Sequence, residues 1–304
     1  MSPRTSEIPH LVAVLGRGVV GPDEPVIAAD DLGLTRGDGC FDSARVVTDP
    51  AGTARVVDLD DHLDRLAASA RALDIATPPH DAWRSLVAEA VAAWSTPGEA
   101  VLKLMLTRGR EWRPPAPTAL LTITHRSAPS PARAPGPEAA ATHAPAPRTI
   151  TAVTLTRGHP SDAFIDAPWL LGGVKTLSYV VNAAATREAK RRGADDVIFT
   201  TTDGFALDGP TAGLLLARDR TLLSTPTGGT GILESLTVAA IMDAGRADGF
   251  ETRFELIPVE QLYTADALWL VSSGRGPVLI TALDGRTLRG DPALATAITR
   301  YAGF

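Results

Sequence analysis

Cysteine, paired histidines and long apolar runs are scarce or missing in this chain, and each shortage excludes a class of protein. Cys40 is the one cysteine among the 304 residues, which excludes an internal disulfide and a cysteine-based zinc site. None of the six histidines has the paired spacing of a metal motif, so we expect no metal site. The apolar runs fall short of the ~20 residues that cross a bilayer, and we expect no membrane partner.

Lysine is also scarce, and arginine carries most of the positive charge. Lys103, Lys175 and Lys190 are the three lysines among the 29 basic residues. Lysine can lose its proton in a protein and arginine cannot, so a lysine kept at an apolar position is a candidate for chemistry that arginine cannot perform. The net charge of −6 argues against a nucleic-acid partner. Because the segment MSPRTSEIPH lacks the apolar core of a signal peptide, we expect a cytoplasmic protein.

The length of the chain and one low-complexity stretch predict two domains. At roughly 150 residues per domain, a chain of 304 residues suggests two. Residues 127–148 are dense in proline and alanine and poor in large apolar residues, so we interpret them as an interdomain linker. We therefore predict a smaller N-terminal α/β domain over residues 1–126 and a larger C-terminal domain over residues 149–304, which would carry Lys175.

Hydrophobic periodicity predicts both strands and helices on each side of the linker. Helices are predicted from about residue 60 and over residues 80–94, 177–192, 233–247 and 291–301. Strands are predicted over residues 10–16, 41–47, 101–107, 118–124, 149–155, 196–200, 206–207, 213–217, 221–223, 268–272 and 278–282. No internal repeat is visible. The fold class is therefore mixed α/β (α+β).

Lys175 stands in the apolar stretch Leu-Leu-Gly-Gly-Val-Lys-Thr-Leu, at a predicted junction between a loop and a helix. Apolar surroundings disfavour the ammonium form, and a deprotonated amine is a nucleophile that forms Schiff bases. A lysine that extends from a helix start into solvent would show the same pattern. Both explanations are open on these residues alone.

The turn at Gly231 leads into an apolar helix with hydroxyl residues at its start. The free backbone N–H groups at the start of this helix and the positive end of the helix dipole would suit a phosphate. Capping of the helix by Ser235 or Thr237 is the alternative.

Arginines provide further candidates for anion binding. Arg65 lies on a predicted helix near acidic residues, and a surface ion pair is the default explanation. Arg108, Arg110 and Arg113 cluster at the end of a predicted strand, where guanidinium groups suit a carboxylate or a phosphate. A solvated basic loop is the alternative.

Several polar residues follow predicted strands. Asp208 precedes Gly-Pro and suits either a protonated heterocyclic nitrogen or the start of a turn. Ser272 and Ser273 end a predicted strand, where their hydroxyl groups would suit a ligand. Cys40 has no neighbouring histidine partner, and we interpret it as buried packing.

The order of the motifs along the chain is more informative than any one of them. The sequence resembles the class IV aminotransferases, which are fold type IV enzymes that use pyridoxal 5′-phosphate (PLP). The resemblance covers nearly all of the chain outside residues 127–148. It is carried by residues 31–41, 44–46, 62–66, 174–182, 193–199, 207–211, 231–233, 236–237 and 270–273.

Within this family, GDGCF at residues 37–41, ARV at residues 44–46 and KTLSY at residues 175–179 are most similar to 4-amino-4-deoxychorismate lyases. Branched-chain and D-amino-acid transaminases share the same frame. The resemblance implies a two-domain, D-amino-acid aminotransferase-like fold type IV architecture with PLP between the domains. It also implies a small-molecule substrate and a homodimer.

The resemblance implies roles for individual residues. Lys175 matches the Schiff-base lysine, and Arg65 matches the arginine that binds the cofactor phosphate. Asp208 takes the place of the glutamate at the pyridine nitrogen. Further cofactor contacts are implied for Leu236, Thr237 and Ser272, and substrate contacts for Arg113, Ser273, Tyr179 and Arg110.

Two positions depart from the family pattern. Asp208 is one methylene shorter than the usual glutamate, and Gly213 replaces a residue that is usually asparagine or serine. A weaker contact to the ring nitrogen would weaken the stabilisation of a carbanion. A catalytically weak PLP-binding homologue is therefore a third alternative, beside the lyase and the transaminase.

Overall fold

The computed structural model describes residues 8–113, 116–126 and 148–304. The chain divides into two compact units. The first contains the described residues up to 126 together with Val174–Ser178, and the second contains residues 148–173 together with residues 179–304. Both units mix helices with strands, which confirms the mixed α/β class. Within these ranges, none of the helices has the length and apolar character that a membrane span requires.

The first unit is built on an antiparallel sheet with the strand order β2-β1-β6-β5-β3-β4. Its strands are β1 His10–Val14, β2 Gly18–Val20, β3 Gly39–Thr48, β4 Ala54–Val56, β5 Gly98–Thr107 and β6 Thr118–His125. Its helices are α1 Leu32–Arg36, α2 Leu59–Ala72 and α3 His80–Ala93.

Fully buried and half-buried residues alternate along β5, and this alternation shows which face of the sheet the helices cover. Leu102, Leu104 and Leu106 are fully buried and share a core with apolar residues of α2 and α3, such as Leu63 and Trp83. Successive side chains of a strand point to opposite faces. Residues 101, 103 and 105 of β5 therefore belong to the other face, and they are half-buried.

The second unit contains a larger mixed sheet with the order β12-β11-β10-β14-β15-β7-β8-β9-β13, and β16 pairs with β15. The strands are β7 Thr149–Thr156, β8 Asp196–Thr200, β9 Phe205–Ala206, β10 Gly213–Arg218, β11 Thr221–Ser224, β12 Glu251–Phe254, β13 Ile257–Pro258, β14 Ala267–Ser272, β15 Gly276–Leu283 and β16 Arg286–Thr287. The helices are α4 Val180–Arg191, α5 Leu236–Ala247, α6 Val259–Leu262 and α7 Pro292–Tyr301, with a 3₁₀ turn at Pro168–Leu170.

The central strands of this sheet are buried on both faces. In β14, Leu268 and Leu270 belong to one apolar cluster, whereas Trp269 and Val271 belong to a second cluster that includes Ile241 of α5. A strand buried on both faces reads as a continuous apolar run rather than an alternating one. This explains the sequence ALWLV at residues 267–271.

The predicted strands are confirmed to within a few residues, but two helices begin later than predicted. The helix predicted from residue 177 begins at Val180, and the one predicted from residue 233 begins at Leu236. The cause of the first difference is backbone pairing with β3, since Leu177 N donates to Gly39 O at 2.9 Å. In the second case Ser235 is extended and caps the helix.

The segment Val174–Ser178 belongs to the first unit, whereas the domain prediction assigns it to the C-terminal part. The reason is its pairing with the start of β3, where Phe41 N donates to the carbonyl of Lys175 at 3.0 Å. The linker predicted over residues 127–148 lies outside the described residues except for Arg148. Its role stays a prediction.

Asp31 should be a main source of stability in the first unit. The side chain is fully buried, caps α1 through Gly33 N at 2.8 Å, and accepts hydrogen bonds from Thr107 Oγ1 at 2.9 Å and Thr118 Oγ1 at 2.8 Å. Asp31→Ala leaves these donors without their acceptor, so we expect the free energy of unfolding to fall by about 3 kcal/mol. Chemical denaturation followed by tryptophan fluorescence measures the change.

Asp291→Ala is the matched control, because Asp291 caps α7 at an exposed position through the N–H groups of Ala293 and Leu294. Water can replace that cap, and the expected loss is about 1 kcal/mol. Equal losses in the two variants would contradict the role given to Asp31.

Candidate active site

Lys175 is fixed against the first unit through its backbone. Its N–H donates to Ser69 Oγ of α2 at 3.2 Å, and its carbonyl accepts the N–H of Phe41. The Nζ atom lies 4.6 Å from the centre of the Phe41 ring. The amine is thus held half-buried on an aromatic face, and the lysine does not extend freely from a helix start.

Arg65 projects from α2 and is held by a carboxylate of β3. Its Nε donates to Asp42 Oδ2 and its Nη2 to Asp42 Oδ1, both at 2.8 Å. His62 Nδ1 lies 2.7 Å from Asp42 Oδ1. The default of a surface ion pair is therefore wrong, because Asp42 is fully buried and the Arg65 side chain is 12% exposed. The bidentate contact fixes the plane of the guanidinium.

The charge of Asp42 is maintained by these partners. Burial alone would raise the pKa of this carboxyl, but hydrogen bonds and charge from Arg65 and His62 lower the pKa to about 2. Asp42 is therefore ionised at neutral pH. Burial, with a contribution from the Asp42 charge, raises the pKa of the Cys40 thiol to about 12, and Cys40 is fully buried, which confirms it as packing.

Sequence reasoning missed Asp42, His62 and Ser69. A signal for Asp42 was present, since it is the one charged residue at the core-facing positions of β3, between Cys40 and Ala44. Its partners on α2 lie about twenty residues away in sequence, and no local pattern indicates which of them pairs with it.

The three arginines after β5 have different environments. Arg108 donates to the carboxylate of Asp38 and to the carbonyl of Leu73, both at 2.6 Å. Arg110 donates through Nε to Asp30 at 2.8 Å. Arg113 is exposed. Arg108 thus stabilises the loop, whereas Arg113 is oriented toward solvent.

In the second unit, the start of α5 lies beside the end of β14. Thr237 Oγ1 is 3.0 Å from Ser273 Oγ, so the predicted residues Leu236, Thr237, Ser272 and Ser273 come together. Ser235 Oγ accepts from Val238 N at 3.3 Å. The first N–H groups of a helix have no acceptor within the helix, and its positive end attracts anions. This cluster has the chemistry of a phosphate site.

The departure at Gly213 has a steric reason. A Cβ atom at this position would lie 3.0 Å from Ser235 Cβ and 3.0 Å from Val238 Cγ2. The glycine therefore lets the start of α5 pack directly on β10, which positions the hydroxyl cluster.

Asp208 and Tyr179 lie in neighbouring segments of the second unit. The carbonyl of Asp208 accepts from Phe199 N at 2.9 Å, which aligns the segment after β9 with β8. Asn182, in the first turn of α4, donates to the carbonyl of Pro210 at 2.6 Å. Tyr179 directly precedes this helix. The start of α4 is therefore tied to the turn that follows Asp208.

Comparison with known proteins gives concordant matches. The family model for class IV amino-transferases matches residues 39–283. A bifunctional aminodeoxychorismate lyase / D-amino acid transaminase of Mycobacterium tuberculosis is 37% identical over 290 residues, with 93% of this chain and 94% of the relative covered.

Solved structures match over nearly the whole chain. A fold IV-transaminase from Curtobacterium pusillum has a TM-score of 0.84 and 36% identity, covering 96% of this chain and 97% of its own. The PLP-bound form of a hypothetical aminotransferase from Mycobacterium tuberculosis has a TM-score of 0.83 and 34% identity, covering 97% and 98%. These matches confirm the fold type IV architecture and PLP as the expected cofactor.

Each unit, taken by itself, has side chains with the chemistry that such a cofactor requires. An aldehyde requires an amine, which Lys175 provides on a rigid segment. A phosphate ester requires fixed donors, and these occur twice, as the oriented guanidinium of Arg65 in the first unit and as the α5 start with Thr237 and Ser273 in the second.

Asp42→Asn should destabilise the first unit strongly. The substitution removes the buried negative charge that the partly buried Arg65 contacts, so the free energy of unfolding should fall by about 3 kcal/mol. Asp60→Asn is the control, since Asp60 is 67% exposed and pairs with Arg84 at 2.9 Å. There we expect less than about 1 kcal/mol.

The pH dependence of this difference tests the charge of Asp42. Its pKa is lowered from 3.8 to about 2 in the folded state, so its stabilisation is complete above 3.8 and is lost as the pH falls toward 2. The difference between wild type and Asp42→Asn should narrow by about 1 kcal/mol between pH 5 and pH 3. Urea denaturation across that range measures it, and a constant difference would contradict the assignment.

Proposed function

Because the chain belongs to the class IV aminotransferase family, we propose that it is a PLP-dependent lyase that converts 4-amino-4-deoxychorismate to 4-aminobenzoate and pyruvate. The observation that carries this proposal is the placement of Lys175, an amine held on an aromatic ring by backbone bonds on both sides. The choice of the lyase is supported by the 37% identical relative, whose name includes this activity, and by the motifs at residues 37–46.

PLP, when bound, supplies the electron sink for charge that develops on the substrate carbon. We propose that Lys175 holds the cofactor covalently and that Arg65 binds its phosphate, with Asp42 keeping the guanidinium in one plane. The N–H of Leu236 and the hydroxyl groups of Thr237 and Ser272 would supply further phosphate donors. Asp208 would pair with the pyridine nitrogen.

Lys175 would also move the protons of the reaction. Its amine would take the proton from the amine-bearing ring carbon and would then protonate the departing enolpyruvyl group. Aromatisation of the ring drives this elimination. The Phe41 ring beside Nζ shields one side of the amine from water.

Substrate carboxylates would be held by the residues that the resemblance implied. Arg113 is the first of these, because this residue is exposed. Arg110 would contribute through its Nη groups, since its Nε donates to Asp30. Tyr179 and Ser273 are the candidates from the second unit.

Transamination of D-amino acids is the second candidate function. It is favoured by the name of the same relative, which includes D-amino acid transaminase beside the lyase. It would use Lys175 to move a proton between two carbons. Branched-chain amino acids are an alternative substrate class for that reaction. The third candidate is a catalytically weak PLP-binding homologue. The reason to consider it is the side chain of Asp208, which is shorter than the usual glutamate.

We also propose that the protein is a cytoplasmic homodimer. Exposed apolar side chains in the first unit support a partner, among them Trp112 at 78% and Leu34 at 65% exposure. Light scattering of the purified protein measures the mass, and the mass of a monomer would contradict the dimer.

Visible absorbance tests the proposed function. The purified wild type with PLP should show a band beyond the protein's own absorption, and the band should persist when D-alanine is added without a keto acid. The same protein should release 4-aminobenzoate from aminodeoxychorismate. A band that bleaches with D-alanine would make transamination the leading function.

Lys175→Ala should lose turnover and the band of the protein-bound imine, because this variant lacks the amine that is proposed to hold the cofactor. Lys190→Ala is the matched control, since Lys190 is exposed at the end of α4, and it should retain both. Turnover at the wild-type rate in Lys175→Ala would refute the role of this lysine.

A further inference from the structure

Phe164 lies in the loop between β7 and the 3₁₀ turn, and its ring packs on two glycines of the second unit. A Cβ atom built on Gly172 would lie 2.5 Å from Cδ1 of this ring, and one built on Gly231 would lie 2.6 Å from its Cζ. Carbon atoms that are not bonded do not approach so closely, so both positions have room for a hydrogen atom alone. The ring therefore lies directly on the backbone of two segments that are far apart in sequence.

Main-chain hydrogen bonds join the same segments. Phe164 N donates to Gly229 O at 3.1 Å, and Gly173 N donates to Gly231 O at 3.0 Å. The φ angle of Gly231 is +71°, a left-handed conformation that glycine adopts without strain. The turn at residues 228–231 is thus fixed from outside by the loop that carries Phe164 and by the segment that precedes Lys175.

This turn leads into the start of α5. Ile232 follows Gly231 directly and is buried in an apolar cluster that includes Val197 of β8. Four residues separate Gly231 from Leu236, the first residue of the helix. Because this connection is short and anchored, a displacement of the turn would displace the first N–H groups of α5.

The glycines at this contact have a cost that requires a reason. Glycine loses more conformational freedom on folding than any other residue, so a loop is more stable with a side chain wherever one fits. Gly158 and Gly204, in the same unit, have open space where a Cβ atom would lie, whereas Gly172 and Gly231 do not. The close approach of the three segments, rather than the stability of each loop, is what these two glycines permit.

We propose that Phe164 is a positioning residue for the cofactor phosphate. Its ring holds the turn at residues 228–231 against Gly172 and Gly173, so that the first N–H groups of α5 and the hydroxyl group of Thr237 meet the phosphate in one place. The inference rests on the phosphate site that we propose at the start of α5. Phe164 acts on this site through the backbone and not through contact with PLP.

Cofactor affinity gives the first test, because pyridoxal lacks the phosphate of PLP and is otherwise the same molecule. Full-length protein stripped of cofactor is titrated with each compound, and the visible band reports binding. In Phe164→Ala the dissociation constant for PLP should rise by about 10-fold, the effect of one weakened charge-assisted hydrogen bond, whereas that for pyridoxal should change less than about threefold. Phe164→Leu retains apolar bulk and should lose less.

Phe254→Ala is the matched control, because Phe254 lies in β12 of the same unit and is 53% exposed. It should retain both dissociation constants. An equal loss of affinity for PLP and pyridoxal in Phe164→Ala would overturn the proposal, because it would indicate a general loss of structure. Unchanged affinity for both compounds would overturn it as well.

Gly172→Ala tests the same contact from the other side. The φ angle of Gly172 lies outside the left-handed region, so the added methyl group is opposed by the Phe164 ring and by the Cα atom of Gly231 at 3.0 Å. This variant should also lose preference for PLP, and the double variant with Phe164→Ala should lose no more than about threefold beyond the worse single variant, since the two act through one contact. Gly21→Ala is the control, with Glu24 Cβ at 3.9 Å as the nearest atom. Additive losses would contradict the shared contact.

Thr237→Val separates this inference from the proposed phosphate site. Loss of the preference for PLP over pyridoxal in Thr237→Val but not in Phe164→Ala would support the phosphate site and overturn the role of Phe164. Loss in Phe164→Ala alone would refute the hydroxyl contact and support Phe164 acting through the N–H groups of α5. Loss in both variants would support both inferences, and loss in neither would refute both.

Discussion

The buried carboxylate of Asp42 is the interaction on which the first unit's part of the site depends. It joins β3 to α2 through Arg65 and His62, and it determines the orientation of the guanidinium proposed to bind phosphate. A buried ion pair of this kind adds little net stability compared with apolar packing, but it permits few alternative geometries. Its value here is orientation, because an arginine that must meet a phosphate in one plane cannot rotate freely on a helix surface.

Backbone pairing has the corresponding role for Lys175. The segment 174–178 lies far from β3 in sequence, yet Phe41 and Leu177 each donate a main-chain hydrogen bond across that junction. Main-chain bonds fix a segment regardless of its side chains, so the lysine can be surrounded by apolar residues and still hold one position. The Phe41 ring also contacts Lys103, whose Nζ lies 4.6 Å from the ring centre, as the Nζ of Lys175 does.

Much of the secondary structure follows from the sequence alone. The apolar periodicity of β5, β14 and α2 predicts their positions to within a few residues, because burial on one or both faces leaves a direct pattern in the sequence. The same reasoning places the starts of α4 and α5 three residues too early, since residues just before a helix can be apolar and still be extended. The glycine at position 213 is visible in the sequence as a departure from the family pattern, but its steric reason depends on the position of α5.

The sequence by itself determined the family and the expected cofactor and predicted the reactive lysine, because these are carried by motifs whose order along the chain is preserved. Only the tertiary structure decided that Asp42 holds Arg65, that Lys175 belongs to the first unit, and that Lys103 shares a ring with it. The physical reason is that strand register and helix packing bring together residues that are distant in the chain. Local propensity and spacing contain no information about which distant residue will lie beside a given residue in the folded protein.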